Sequence, residues 1–459
     1  MDYQKQLDTL MQSYLDIYCK HKNAVEFIIS SQCDQKCEYC YLYKHSHEMN
    51  YPQANKKEDV LRNFQLILDY LEKENYEFND YDIFSGEFFQ LSYWEDIFQM
   101  IYDFQMKTKK PRYVTIPTNY SFIEDEEMTA RIEDWITKMR EDVKAHVHLS
   151  CSVDGPDKTE SITRPNVHIK QKDEAYYDRL FKFVARHNFA FHPMVGRYFL
   201  QNYKENYDFF MDGIINYDLK FYGDDYATYN PPMFLEIRDS DQWDEESLNN
   251  LVHFLNYVAD QDLERFFNGD KELYALKFFD DFTDSYKKMT GSLRNQPYIL
   301  TYPHLSGNVI SCSIQKHLVV RVGDLKMAPC HRTYYSELEY GEFLLNEDKT
   351  EIIGVKGINP TLAFKIMNFN PVRSSLKCGG CDFRTFCIQG CLGSQYEHTS
   401  EIFAPQDKVC EMLRVKYRTI HDIAERLGLY DIILNHPYVP GERKEFINYA
   451  RKILSRTSI

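Results

Sequence analysis

A chain of 459 residues with 70 acidic against 54 basic side chains, net charge −16, lacks the electrostatic profile of a protein that grips phosphate backbones. Hydrophobic residues make up 43% and charged ones 27%, and no apolar run approaches the ~20 residues of a membrane span, so a globular chain of about two or three domains is expected. The opening MDYQKQLDTLMQSYL is polar and acidic where an export signal would be basic and then apolar; we therefore expect a cytoplasmic protein.

Residues 1–23 read as a helix. From 24 to about 238, short apolar strand candidates alternate with helical stretches: AVEFIIS, YDIFSG, RYVTIP, HVHLSC, FAFHPMV and MFLEIR. Between them, runs such as EDVLRNFQLILDYLEKE repeat apolar residues every three or four positions, as a helix packed on a sheet requires. Six such βα units predict an α/β fold, a partial (β/α)6 barrel over 24–297. Helical pattern continues through DEESLNNLVHFLNYVADQDLERFF and ELYALKFFDDFTDSYKKM, and GSLRNQP (291–297) marks the boundary to a cysteine-rich part over 298–410. Two amphipathic helices, split by HPYVPGE, are expected over 411–459. The acidic stretch RDSDQWDEES reads as a solvated helix start.

The cysteines carry the chemistry. Twelve in a chain without an export signal indicate metal or redox use more than disulfides. Cys19 and Cys151 stand apart and read as structural thiols. Cys33, Cys37 and Cys40 follow the first strand candidate, on the face where parallel barrels build their active sites. Three thiolates can hold three irons of a four-iron cube, leaving one iron open, and this is the reading we favour; local spacing alone also permits a zinc site completed by His45 or His47. Seven further cysteines, at 312, 330, 378, 381, 387, 391 and 410, exceed any single site, and taken alone would suit a pair of zinc knuckles.

The spacing C-x3-C-x2-C with Tyr39 before its last cysteine, directly after the first strand of a βα series, resembles the radical S-adenosylmethionine (SAM) superfamily. Further matches fall at later strand ends. Ser85-Gly86-Glu87 stands where the family has Gly-Gly-Glu, with serine for the first glycine and phenylalanine for the proline that usually follows. Thr118-Asn119 corresponds to Thr-Asn-Gly, and Ser152-Val153-Asp154-Gly155-Pro156 to the Ser-x-Asp-Gly-Pro of the peptide-modifying branch. The seven later cysteines resemble the SPASM extension, whose C-x2-C-x5-C-x3-C run is met without adjustment; six residues rather than four separate Gly323 from Cys330.

The resemblance implies SAM and three 4Fe–4S clusters. Cys33, Cys37 and Cys40 would hold the radical-generating cluster. Tyr39, Ser85, Gly86, Glu87, Asn119, Ser152, Asp154 and Arg164 would serve SAM binding, with Arg164 offering its bidentate fork to the SAM carboxylate. Cys378, Cys381, Cys387 and Cys410 would hold the outer auxiliary cluster, and Cys312, Cys330 and Cys391 the inner one. No further cysteine lies between 312 and 330, so the inner cluster is expected to keep an open iron for a substrate thiolate, or to take His317 or His331.

It also implies a peptide-modifying enzyme, and we expect thioether cross-linking of a cysteine-containing, ribosomally made peptide. Carbon–carbon cross-linking and anaerobic sulfatase maturation, which makes formylglycine, are the alternatives, and a zinc-stapled interaction protein is the reading from another class. A reducing donor such as flavodoxin or ferredoxin is implied as partner. Only 32 residues precede Cys33, too few for the family's leader-binding domain, so either a separate leader-binding protein, the barrel mouth or the C-terminal helices are expected to serve instead, or the substrate is expected to lack a leader. His331, Arg332 and Tyr334 are candidates to face the substrate channel; a proton acceptor is not assigned.

Overall fold

Strand β1 (Ala24–Ile28) is buried at every position and lies inside the sheet, with parallel neighbours on both sides. On one side follow β2 (Asp80–Phe84), β3 (Tyr113–Thr118) and β4 (His146–Cys151), each parallel to the last and each reached through a helix. The computed structural model describes residues 3–20, 22–45, 56–84, 86–169, 171–222, 232–267, 314, 317–367, 375–385, 390–435 and 441–456. The candidates ELYALKFFDDFTDSYKKM and GSLRNQP fall outside these residues.

The helix Lys57–Lys73 shows why the crossovers hold. Val60, Phe64, Ile67, Leu68 and Leu71 recur at three and four and are all buried, with Phe64 4.6 Å from Phe27 of β1. Each such side chain contributes about 1.5–3 kcal/mol by leaving water. Glu58 and Asp59 in its first turn and Lys73 in its last complement the helix dipole.

The fifth and sixth candidates form much shorter strands than expected. Only β5 (Met194–Val195) and β6 (Leu235–Glu236) pair, parallel, as a separate two-stranded piece joined to β4 by a bridge between Cys151 and Phe191. Pro193 lacks the N–H that a longer FAFHPMV strand would need. Beyond β1, the sheet continues into the cysteine-rich part. There β7 (His317–Arg321) runs parallel to β1, followed by antiparallel β8 (Lys326–Ala328), β9 (Gly341–Leu345) and β10 (Ile352–Gly357). Among the described residues the sheet order is β10-β9-β8-β7-β1-β2-β3-β4.

The N-terminal helix Tyr3–Lys20 packs against the β10 edge. Gln12 donates to the Val355 carbonyl at 3.0 Å and accepts from Gly357 N at 3.1 Å, satisfying an edge that would otherwise invite pairing with another chain. At the other terminus the sequence predicts two helices, and the described residues hold Asp407–Arg426, Leu429–Asn435 and Gly441–Leu454. Gly428 makes the additional break: at φ 64° it takes the left-handed turn that ends a helix. The stretch RDSDQWDEES is a solvated helix start only in its second part. Asp239, Gln242 and Trp243 are buried, with Trp243 donating to the Ile237 carbonyl at 2.8 Å, while Glu245 and Glu246 open the helix Glu245–Phe267 in solvent. No helix among the described residues is long and apolar enough to cross a membrane.

Candidate active site

The loops after β1, β2 and β3 are tied together by the strand-end motifs. Gly86 N donates to the Ser30 carbonyl at 2.8 Å and Glu87 N to that of Gln32 at 2.7 Å, so the turn after β2 lies against the loop that carries Cys33. The Glu87 carboxylate accepts from Thr118 Oγ1 at 2.8 Å and from Asn119 N at 2.7 Å, and Asn119 Nδ2 reaches Asp34 at 2.6 Å. Burial pushes the Glu87 carboxyl up to about 7 despite these donors. Asp34, which the sequence did not single out, also accepts from Asn166 at 2.8 Å, fixing the segment between Cys33 and Cys37. Ser152 N donates to the Thr118 carbonyl at 2.9 Å, which adds the loop after β4.

A second knot surrounds Asp154, which is fully buried. Its Oδ2 accepts from the Tyr39 hydroxyl at 2.6 Å and lies 3.0 Å from Arg164 Nε, while Oδ1 accepts from Met194 N at 2.8 Å. The Arg164 guanidinium also sits over the Tyr39 ring, 5.2 Å from its centre, and Nη1 lies 3.8 Å from Cys37 Sγ. Asp154 thus braces Tyr39 and Arg164 from behind, and Arg164 spends one edge on that brace.

These loops wall a cavity of about 650 Å³ at the carboxyl ends of the strands. Cys33, Cys37 and Cys40 line it together with Gly86, Asn119, Ser152 and Arg164. Across from them stand His331, Arg332 and Cys391 from the cysteine-rich part. His331 lies flat on Phe84, ring centres 4.2 Å apart, and its Nδ1 is 2.9 Å from Glu26. Arg332 bonds both Asp239 and Glu397, tying this loop to the segment after β6 and to the helix Leu392–Thr399. Tyr334, expected beside them, is instead fully buried under Arg321, 5.0 Å from its ring.

No family model matches the sequence, and neither does any curated protein. Solved structures do. Native anSMEcpe with bound AdoMet and a peptide superposes with TM-score 0.57 at 14% identity, over 94% of this chain and 99% of that one. Streptococcus suis SuiB bound to precursor peptide SuiA does so with TM-score 0.51 at 13% identity, over 88% of this chain and 80% of that one. The α/β fold, with its parallel run from β1 to β4, is shared with both of these structures. In the cysteine-rich part, Cys330 is buried and its N–H bonds Thr333 at 2.9 Å. Cys391 stands at the N-terminal boundary of the helix Leu392–Thr399, its side chain making no capping hydrogen bond. Cys378, Cys381 and Cys410 are near enough that the charges of the first two raise the Cys410 thiol, though burial is the larger cause. Cys312, Cys387 and Ser85 lie outside the described residues, as does His47. His45 is 3.8 Å from Glu397.

The donor set of the first triplet fits an iron–sulfur centre. Burial pushes all three thiols up, Cys37 to about 12, with Arg164 pulling Cys37 down and the Cys40 and Asp154 charges adding to the rise. Only Cys37 is buried, while Cys33 is exposed and Cys40 half-buried; a metal that supplies positive charge favours the thiolate form of such mutually repelling sulfurs. His317, the other histidine considered for the inner cluster, faces Asp82 at 3.0 Å and Glu26 at 3.3 Å. These carboxylates hold its imidazole up at about 9 against the opposing effect of burial, and the two histidines draw Glu26 down to about 2 although burial pushes it upward. Glu26 was legible as a charge inside the apolar AVEFI strand; its partners were not.

Proposed function

We propose that the protein is a radical SAM enzyme that modifies a ribosomally made peptide, forming a thioether between a cysteine sulfur and a carbon. The observation that carries this is the single cavity on which Cys33, Cys37 and Cys40 open together with Cys391 of the SPASM part. SAM bound at the first cluster would supply the radical chemistry for taking a hydrogen atom from a substrate carbon.

The chain's own residues do the rest. Cys33, Cys37 and Cys40 hold the cluster. Gly86 brings backbone close to it, and Ser85, Asn119, Ser152 and Arg164 present polar groups to SAM, while Glu87 and Asp154 fix the walls and Tyr39. Cys330 and Cys391, with Cys312, hold the inner auxiliary cluster beside which the substrate thiol is placed. Cys378, Cys381, Cys387 and Cys410 hold the outer one. Forming the C–S bond removes a substrate C–H and S–H. One hydrogen would leave with the SAM-derived nucleoside, the thiol proton would go to solvent, and the surplus electron would need the auxiliary clusters as its acceptor. We place the protein in the cytoplasm with a flavodoxin- or ferredoxin-like donor. Residues 24–297 form the radical domain and 298–410 the SPASM domain in this reading.

A second reading, oxidation of a peptidyl cysteine or serine to formylglycine, uses the same cavity; the nearly complete mutual coverage with anSMEcpe favours it. The deciding experiment is anaerobic iron and sulfide analysis of reconstituted protein beside Cys33→Ala/Cys37→Ala/Cys40→Ala, with SAM cleavage assayed in both. About twelve irons falling to about eight, with cleavage lost, supports one SAM cluster and two auxiliaries. Zinc without sulfide and no cleavage in either protein overturns the proposal. A carbonyl-reactive hydrazide then separates the readings, since formylglycine made from cysteine or serine carries an aldehyde, whereas a thioether carries none.

A further inference from the structure

Glu26 and Asp82 are opposite residues on the paired strands β1 and β2, and both are buried. His317, the first residue of β7, brings one nitrogen to both carboxylates: Nδ1 lies 3.3 Å from Glu26 Oε2 and 3.0 Å from Asp82 Oδ2. A ring N–H carries one proton along one direction, so it cannot serve two converging carboxylates well. A cation at the same point serves all three donors. Ligands held about 2.1 Å from one tetrahedral ion stand about 3.4 Å apart, close to the two separations found here. One donor atom from each residue falls within 4.8 Å of the other two. All three residues sit on strands of one hydrogen-bonded sheet, so their spacing is fixed by register and not by a loop.

We infer that Glu26, Asp82 and His317 form a binding site for one divalent first-row cation of the manganese–zinc class, distinct from the cysteine groups. Two carboxylate oxygens and an imidazole nitrogen, without sulfur, suit Mn2+, Fe2+ or Zn2+ and neither a cuprous ion nor an iron–sulfur cluster. The two carboxylates balance the ion's charge, and the Nδ1 proton leaves to solvent when it binds. The free Glu26 oxygen bonds His331 at 2.9 Å, and His331 lies in the cavity wall. Occupancy therefore orients a cavity side chain through Glu26. The site is independent of which reaction the cavity supports.

The test titrates Mn2+ into cluster-reconstituted protein and follows the free-ion electron paramagnetic resonance signal. Wild type, His317→Gln and Glu26→Gln/Asp82→Asn are compared. Expected are one Mn2+ per chain in wild type, displacement by Zn2+, and binding weaker by about tenfold or more in either variant with iron and sulfide unchanged. No stoichiometric Mn2+ binding in wild type, or undiminished affinity in His317→Gln, overturns the site. Should the double variant fail to fold, His317→Gln, which keeps both carboxylates, decides alone.

Discussion

A Cβ on Gly86 would stand 2.2 Å from the carbonyl oxygen of Gln32 and 2.6 Å from that of Ser31. Both obstacles are backbone, held by the hydrogen bonds from Gly86 to Ser30 and from Glu87 to Gln32, so neither can rotate aside. Gly86→Ala must push outward the loop that carries Cys33. Such a forced shift costs about 1–3 kcal/mol and separates Cys33 from Cys37 and Cys40. The expected outcome is a lower melting temperature and about four fewer irons per reconstituted chain. Unchanged iron and melting temperature would refute the close approach.

Asp154 and Tyr39 should differ sharply when removed. Asp154→Ala leaves the Arg164 guanidinium buried without its carboxylate, a loss of about 3–5 kcal/mol. Tyr39→Phe removes one hydrogen bond and leaves the ion pair standing, a loss of about 1–2 kcal/mol. Thermal melts of the metal-free proteins should rank wild type above Tyr39→Phe and Tyr39→Phe well above Asp154→Ala. Equal losses would show that Arg164 draws its charge balance from elsewhere.

Local pattern foretold what depends on local pattern. HVHLSC became β4 residue for residue, because buried and half-exposed positions alternate along it, and the helix Lys57–Lys73 lies within one residue of its apolar repeat. The cavity's first half was legible too, since the strand-end motifs occur in strand order. Pairing across the chain was not. Nothing in His317–Arg321 announces that it will lie beside Ala24–Ile28, and the Glu26, Asp82 and His317 constellation exists only once it does. Asp239 misled for the same reason: in sequence it belongs to an acidic run, while its partner Arg332 follows Cys330, far along the chain.

Arg332 is the joint between the Cys330 loop and the helix that follows Cys391. Its guanidinium meets Asp239 and Glu397, whose side chains are almost fully buried, and its stem packs so closely on Gly393 that a Cβ there would lie 2.7 Å away. Arg332→Ala strands two buried carboxylates, and Gly393→Ala displaces the stem. Arg332→Lys cannot restore the fork, since an ammonium lacks its planar pair of donors. All three variants should lose iron from the auxiliary sites while SAM cleavage at the first cluster persists. Loss of cleavage together with the auxiliary iron would make Arg332 a general stability residue instead.

A histidine held against the end of β4, with His192 N donating to the Cys151 carbonyl at 2.7 Å, sets an acid limit. His192 Nδ1 lies 2.5 Å from Ser150 Oγ and Nε2 lies 3.2 Å from Met233 Sδ, partners that do not compensate an imidazolium. Burial, with a smaller effect from the His148 charge, lowers His192 to about 4. The unfolded chain takes up the proton near 6.5, where the folded chain still refuses it. Its contribution is therefore complete above about pH 6.5 and is lost as the pH falls toward 4, by up to roughly 3 kcal/mol. The melting temperature of wild type should drop more steeply between pH 7 and pH 5 than that of His192→Asn, whose amide does not titrate. Parallel slopes would place the acid sensitivity on other groups, His148 first, since burial lowers it in the same direction.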